Sequence, residues 1–327
     1  MPIQSDYNVE YWTQQEQFYL KQLEEDPAKS VRSHIGLAAV YEVMSRFDDC
    51  FLHCNKVLEL SKSGVDIAEA HVWMGRAHQA KKEYNAAIGH FLEAIDIDPE
   101  HDAAIEDVAT SYSELKDFAN AEYWFNKLGQ IDGCEDIAWM KLADLFYETK
   151  DFDRAISYYE KCIEVVPDNI EALCGKGRCL AEKKLYSESI KVFSEAAKLH
   201  PDDALPQYYL GVCYQDTADQ YRAMHHYMKA LELNPDFAEV YNNVGKLYAD
   251  FDGDMNTAID YLEKALEHVE NARLRQMIYI NLTRLYGRIA NYERSDYYKS
   301  KLMDDLGFGG FFSGEEGEGE EDEGEEE

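Results

Sequence analysis

Proline recurs in this chain at a fixed interval, each time after one apolar run and before another. The phrases are AIDIDPEHDAA, CIEVVPDNIEA, AAKLHPDDALP and ALELNPDFAEV, and their prolines are Pro99, Pro167, Pro201 and Pro235. The spacings are 68, 34 and 34, and Gly133 fills the slot midway between Pro99 and Pro167. A 34-residue period constrains the fold more than any other property of the chain. Self-similarity of that length marks an array of small units, each burying its apolar face against its neighbours.

Alignment on the period gives columns. A small-residue column runs Gly75, Ala109, Ala143, Gly177, Gly211, Gly245, followed three residues later by His78, Tyr112, Phe146, Leu180, Tyr214, Tyr248. A second small column runs Ala87, Ala121, Ala155, Ser189, Ala223, Ala258, and an aromatic column follows it: Phe91, Phe125, Tyr159, Phe193, Tyr227, with Leu262 in the last copy. Apolar residues recur at i, i+3, i+4 and i+7, which predicts two amphipathic helices per period. Small residues let two backbones approach and the aromatic fills the space beside them. Proline disfavours helix in the residue before it and is tolerated at the start of the next helix. Turn phrases such as KKEYNAA, KDFANA and KDFDRA separate the two helices of a copy.

These columns resemble the tetratricopeptide repeat, TPR. The resemblance places repeats at 31–64, 68–101, 102–135, 136–169, 170–203, 204–237, 238–272 and 276–306, after an N-terminal capping region, 1–30, whose helix spans 8–25 and ends at Asp26–Pro27. In the first copy Cys50 and Cys54 replace the second small residue and the aromatic. The seventh carries about one extra residue near DFDGD. The eighth has Ser295 and Lys299 where the family prefers alanine and an aromatic. The resemblance implies an all-α fold: a right-handed superhelical solenoid of antiparallel helix pairs, about eight repeats long. It also implies a concave groove lined by the first helix of each pair, which in this family usually binds an extended or helical peptide. The acidic, glycine-containing composition that follows the repeats predicts a disordered acidic C-terminal tail, 315–327.

Composition bears on partners and compartment. Hydrophobic residues make up 46% of the 327, aromatics 13%, and the net charge is −33. So acidic a chain is ill suited to neutralising phosphates, so no nucleic-acid partner is expected. No run of eighteen apolar residues exists, so no membrane insertion is expected, and the N-terminal MPIQSDYNVEYW lacks the features of a secretory or mitochondrial signal. Seven cysteines at no disulfide-like spacing suit a reducing compartment. The expected location is cytoplasmic, with nuclear or ciliary as variants.

Three constellations invite a chemical reading. Cys50–Phe51–Leu52–His53–Cys54 sets two thiols one helical turn apart, as in a metal site, but both fall in packing columns and no second ligand cluster accompanies them. His225–His226 are adjacent, hence about 100° apart on a helix, and do not converge on one ion. The glycines of GFGGFFSG, 307–314, lack the following Lys-Ser/Thr and preceding strand of a phosphate loop, and read as a hinge. No nucleophile–base pattern stands out, so no enzyme and no cofactor are expected.

The positions that the resemblance assigns to the groove form two columns: Ile35, Val72, Glu106, Met140, Cys174, Tyr208, Asn242, Ile280, and, one turn on, Ala39, Arg76, Thr110, Asp144, Arg178, Val212, Lys246, Arg284. Arg76, Met140, Arg178, Tyr208, Asn242, Lys246, Arg284 and Arg288 are the candidate groove residues. They would suit a partner peptide or helix carrying apolar and acidic residues. A Lys/Arg and Asn carboxylate clamp, as in co-chaperones of the family, is incomplete: Arg76 is followed by Asp107 and Lys246 by Asn281. Residues 272–303 carry a net charge of +5, whereas Glu315–Glu327 holds ten acidic residues and three glycines. The tail is therefore also a candidate intramolecular ligand of the last repeat. The expected function is a non-enzymatic scaffold or adaptor in a multiprotein complex. The alternatives are a chaperone-associated adaptor, a ciliary or cytoskeletal assembly subunit (the tail resembles tubulin tails in composition) and a subunit of a catalytic complex.

Overall fold

A computed structural model of the chain describes residues 6–25 and 30–307. Among the described residues all regular structure is helical. The described residues divide into two compact units, one up to Cys179 and one from Leu180. The first holds α1 (Asp6–Glu25), α2 (Ser30–Val43), α3 (Phe47–Leu60), α4 (Gly64–Ala80), α5 (Tyr84–Ile97), α6 (Asp102–Glu114), α7 (Phe118–Leu128), α8 (Glu135–Glu148), α9 (Phe152–Val165) and most of α10 (Ile170–Glu182). The second continues through α11 (Tyr186–Leu199), α12 (Ala204–Asp216), α13 (Gln220–Leu233), α14 (Ala238–Leu247), α15 (Met255–His268), α16 (Ala272–Arg288) and α17 (Tyr292–Asp305).

The turns inside the pairs follow one chemical recipe. Ser45, Lys82, Lys116, Lys150, Lys184, Ala218 and Ala290 all have φ between 58° and 61°. At each, the next amide closes back five residues, as in Lys150: Asp151 N donates to Phe146 O at 2.8 Å and Lys150 N to Tyr147 O at 3.1 Å. This is the Schellman stop, with a left-handed residue just past the helix. The following Asp or Asn then caps the second helix: Asp117, Asp151, Asp219 and Asn291 accept from the amides of Asn120, Arg154, Arg222 and Arg294. The recurring Lys-Asp of the turn phrases is thus a stop followed by a start. A left-handed non-glycine costs about 1–2 kcal/mol. Lys150→Gly is therefore expected to raise stability by up to about 1 kcal/mol, read as a higher urea midpoint at unchanged slope.

The core is built from the repeat columns. Ala87, Ala121, Ala155, Ser189, Ala223 and Ala258 have no exposed surface, and Phe91, Phe125, Tyr159, Phe193, Tyr227 and Leu262 are at most 3% exposed. At Gly75 the approach is so close that an added Cβ would meet the Phe91 ring at 2.4 Å. The side chain is missing there because the neighbouring ring fills its volume.

Three departures from the repeat pattern have physical reasons. In the first pair Cys50 and Cys54 are fully buried in the core, and Tyr19 and Leu23 of α1 pack against that same cluster. In the seventh copy Tyr248–Asp252 form a π-turn and Gly253, φ 70°, takes the left-handed role. The wider turn accommodates the extra residue. In the last pair Lys299 is exposed, while Tyr298 is 6% exposed and donates to Glu263 Oε1 at 2.8 Å. The buried ring has moved one position earlier. The expected stop at Asp26–Pro27, nearly all of the 307–314 hinge and the 315–327 tail lie outside the described residues.

Candidate functional site

The first helix of each pair carries the residues assigned to the groove, and each unit arranges them differently. In the first unit Arg76 does not stand alone. Its Nε donates to Asp107 Oδ2 at 2.6 Å, with side chains 30% and 18% exposed, and its guanidinium lies 5.1 Å from the Trp73 ring centre. Burial raises the pKa of Asp107, opposed by Arg76, and burial likewise raises that of Glu42, which Arg76 also faces. Lys141 pairs with Glu106 at 3.1 Å. Arg178 stacks 4.3 Å from the Tyr147 ring centre. Asp144 accepts from the Tyr159 hydroxyl at 2.6 Å, and burial together with that bond holds the phenol above its ordinary pKa. Met140 is half-buried against the core, and Val72 and Cys174 are buried.

In the second unit Tyr208 sits among aromatic rings, with centroids 5.1 Å from Tyr209 and 5.1 Å from Phe237. Asn242 is 2% exposed. It belongs to a line of side-chain hydrogen bonds. Asn281 Nδ2 donates to Asn242 Oδ1 at 3.1 Å, Asn242 Nδ2 to Asn243 Oδ1 at 3.3 Å, Asn243 Nδ2 to the Tyr227 hydroxyl at 3.3 Å, and that hydroxyl to Gln215 Oε1 at 2.7 Å. The buried amide is satisfied from within, as burial demands. Lys246 lies near Asp216, whose pKa burial raises and Lys246 lowers. Arg284 and Asp250 approach to 4.0 Å, 53% and 61% exposed, and Arg288 is exposed. Ile280, one turn before Arg284, is 52% exposed.

Of the eight candidates, Asn242 is internal wiring, Arg76 is held by Asp107, Arg178 lies over Tyr147, Met140 and Tyr208 are half-buried among apolar neighbours, Lys246 is half-buried near Asp216, and Arg284 and Arg288 are exposed. Reading two columns alone missed Glu42, Trp73, Lys141 and Tyr147, which flank them. Trp73 and Lys141 follow the first column by one residue, and Glu42 and Tyr147 follow the second by three. The residues that looked like metal ligands are packed instead. Cys50 and Cys54 have no exposed surface, and the Cys54 thiol is driven strongly up, first by its contact with Cys50 and then by burial. Among the described residues no three His, Cys, Asp or Glu side chains are placed to hold a metal ion, and no helix is long and apolar enough to cross a membrane. His226 meets Gln207 Oε1 at 2.8 Å rather than converging with His225.

Four tetratricopeptide-repeat models match the chain, at residues 68–101, 138–204, 207–237 and 226–260. The chain is a tetratricopeptide-repeat protein, of the general class of protein-interaction scaffolds, and these matches indicate no enzyme family. Similar solved structures include a tetratricopeptide repeat protein from Parabacteroides merdae, with TM-score 0.61 and 15% identity over 77% of this chain and 98% of that one. Human IFIT1, a dimer with m7Gppp-AAAA, is similar at TM-score 0.58 and 12% identity, over 86% of this chain and 69% of that one. YrrB, described as a TPR protein with an unusual peptide-binding site, gives TM-score 0.44 and 19% identity over 57% and 95%. No curated protein matches the chain.

Proposed function

We propose that the protein is a non-enzymatic adaptor within a multiprotein complex, and that the first helices of its pairs hold a partner peptide or helix carrying both apolar and acidic residues. The observation that carries this reading is an exposed apolar side chain one turn from an exposed cation on α16, Ile280 and Arg284, 52% and 53% exposed. Apolar side chains give such a partner affinity, and cations beside them give register and on-rate. In the first unit the cation that fits is Arg178, on its Tyr147 ring. The m7Gppp-AAAA bound by IFIT1 fits this chain poorly, because a net charge of −33 opposes a polyanion.

Co-purification with mass spectrometry identifies the partner, and a peptide from it is then titrated against the protein. Arg178→Glu with Lys246→Glu should weaken that binding about tenfold or more, with the loss falling as salt is raised. Unchanged affinity in the double variant overturns the reading.

A further inference from the structure

We propose that the outward face of α16 is a docking strip for the chain's own aromatic-then-acidic segment, residues 308–327. This does not depend on the partner proposed above, because the occupant is the chain itself. Helix α16 holds Arg273, Arg275, Arg284 and Arg288 and no carboxylate, in a chain of net charge −33. At about 100° per residue, Arg273, Met277, Ile280, Arg284 and Arg288 fall within about 80° of its circumference. Ile278, Leu282 and Leu285, on the other side, are at most 1% exposed in the core. Met277 and Ile280 are 44% and 52% exposed. An apolar pair flanked by arginines is thus turned to solvent.

The order of residues along the strip matches the order along the segment. Helices α16 and α17 run antiparallel: Arg275 Nε meets Asp305 Oδ2 at 2.7 Å, and Ser295 Oγ donates to Thr283 O at 3.0 Å. The chain therefore leaves α17 beside the N-terminal end of α16. From that end the strip reads Arg273, Met277, Ile280, Arg284, Arg288. The departing segment reads Phe308, Phe311, Phe312 and then ten acidic residues from Glu315. Phenylalanine meets Met277 and Ile280 first, and glutamate meets Arg284 and Arg288 after. The reach is ample. Met277 to Arg288 spans about 16 Å at 1.5 Å per residue, whereas nine extended residues beyond Gly307 span up to about 30 Å. A tethered ligand acts at an effective concentration of about millimolar, so weak contacts suffice.

Disulfide trapping in the full chain tests this, because all seven natural thiols are buried. The test pair is Ile280→Cys with Phe311→Cys. The control is Tyr292→Cys with Phe311→Cys, since Tyr292 is 67% exposed in the same last pair and nearer in sequence. Under oxygen with a copper–phenanthroline catalyst, the intramolecular disulfide should form about tenfold faster in the test pair than in the control. Adding Arg284→Glu and Arg288→Glu should remove that preference. Equal rates in the two pairs, or a preference indifferent to the arginines, overturn the proposal. So does a product that is a disulfide-linked dimer, which would make a second copy the occupant.

Discussion

Phe91→Ala should lower the unfolding free energy of the first unit by about 3–5 kcal/mol, the range for truncating a fully buried phenylalanine. Phe91 has no exposed surface, and its ring occupies the space where Gly75 would otherwise carry a side chain. The cavity would open between α4 and α5, with Ala87 and Ala94 on its walls. Neither alanine can swing in to fill it, so little of the loss is recovered by collapse. In an array stabilised by nearest-neighbour interfaces, such damage stays local at first. Hydrogen exchange should therefore show α4 and α5 opening before α8 and α9, while urea melting of the whole unit shifts to lower midpoint. A loss below about 1 kcal/mol would mean that the aromatic column does not organise the core. Gly75→Val attacks the same contact from the other side, forcing the ring out of its rotamer at a cost of about 1–3 kcal/mol.

Acidification should weaken the first unit as pH falls from about 6.5 to about 4. His34 and His53 face each other with Nδ1 atoms 2.7 Å apart, and His71 and His90 with theirs 3.2 Å apart. Each contact requires one nitrogen to donate and the other to accept, so at most one ring of each pair can carry a charge while the contact lasts. Burial lowers all four pKa values, those of His53 and His90 to about 4, helped by the partner histidine in each. A depressed imidazole pKa means that the unfolded chain takes up a proton near 6.5 while the folded chain refuses it. Stability from these groups is complete above pH 6.5 and is lost as pH falls through the folded values. Other charges nearby modulate this without reversing its sign. Lys56 and Arg46 disfavour protonation at the first pair and Asp49 favours it, while at the second pair His78 disfavours and Glu93 favours it.

Some groups pull the other way. His101 is raised by its bond to Glu69, and half-buried Glu42 and Asp107 are raised as well, mainly by desolvation. The clean readout is therefore a difference between variants. His71→Tyr with His90→Tyr copies the ring pair of the seventh copy, Tyr241 and Tyr261, whose centroids lie 6.1 Å apart. Between pH 7 and pH 5 this variant should lose several degrees less in melting temperature than the parent protein. Equal losses would show that the paired histidines do not govern acid sensitivity.

How much of this was legible in the sequence depends on the distance over which each property is decided. The period announced the helix pairs, and the columns at Ala87 and Phe91 announced the core, because packing repeats wherever the backbone repeats. Even the extra residue near DFDGD was visible as a break in register, although its absorption into a π-turn was not. The groove was less legible. Arg76 reads as an outward cation in one column, yet its partner Asp107 lies 31 residues away on another helix. Asn242 fits a groove position by count and is nevertheless buried, because Asn243 and Asn281 close a hydrogen-bonded line around it. The histidine pairs were missed for the same reason. Their 19-residue separation matters only once two helices have paired.

The seven cysteines give the molecule built-in clocks. None is bonded to another, all are buried, and they are spread over α3, the start of α8, α9, α10 and α12. Burial holds the thiols of Cys134, Cys162 and Cys213 above their ordinary pKa, so an alkylating reagent reaches a reactive thiolate only when the surrounding helices part. The rate at which each sulfur is labelled would then time the opening of its own segment. A single tube of native protein, sampled over hours and digested, would yield a breathing rate for each of those helices without a single mutation.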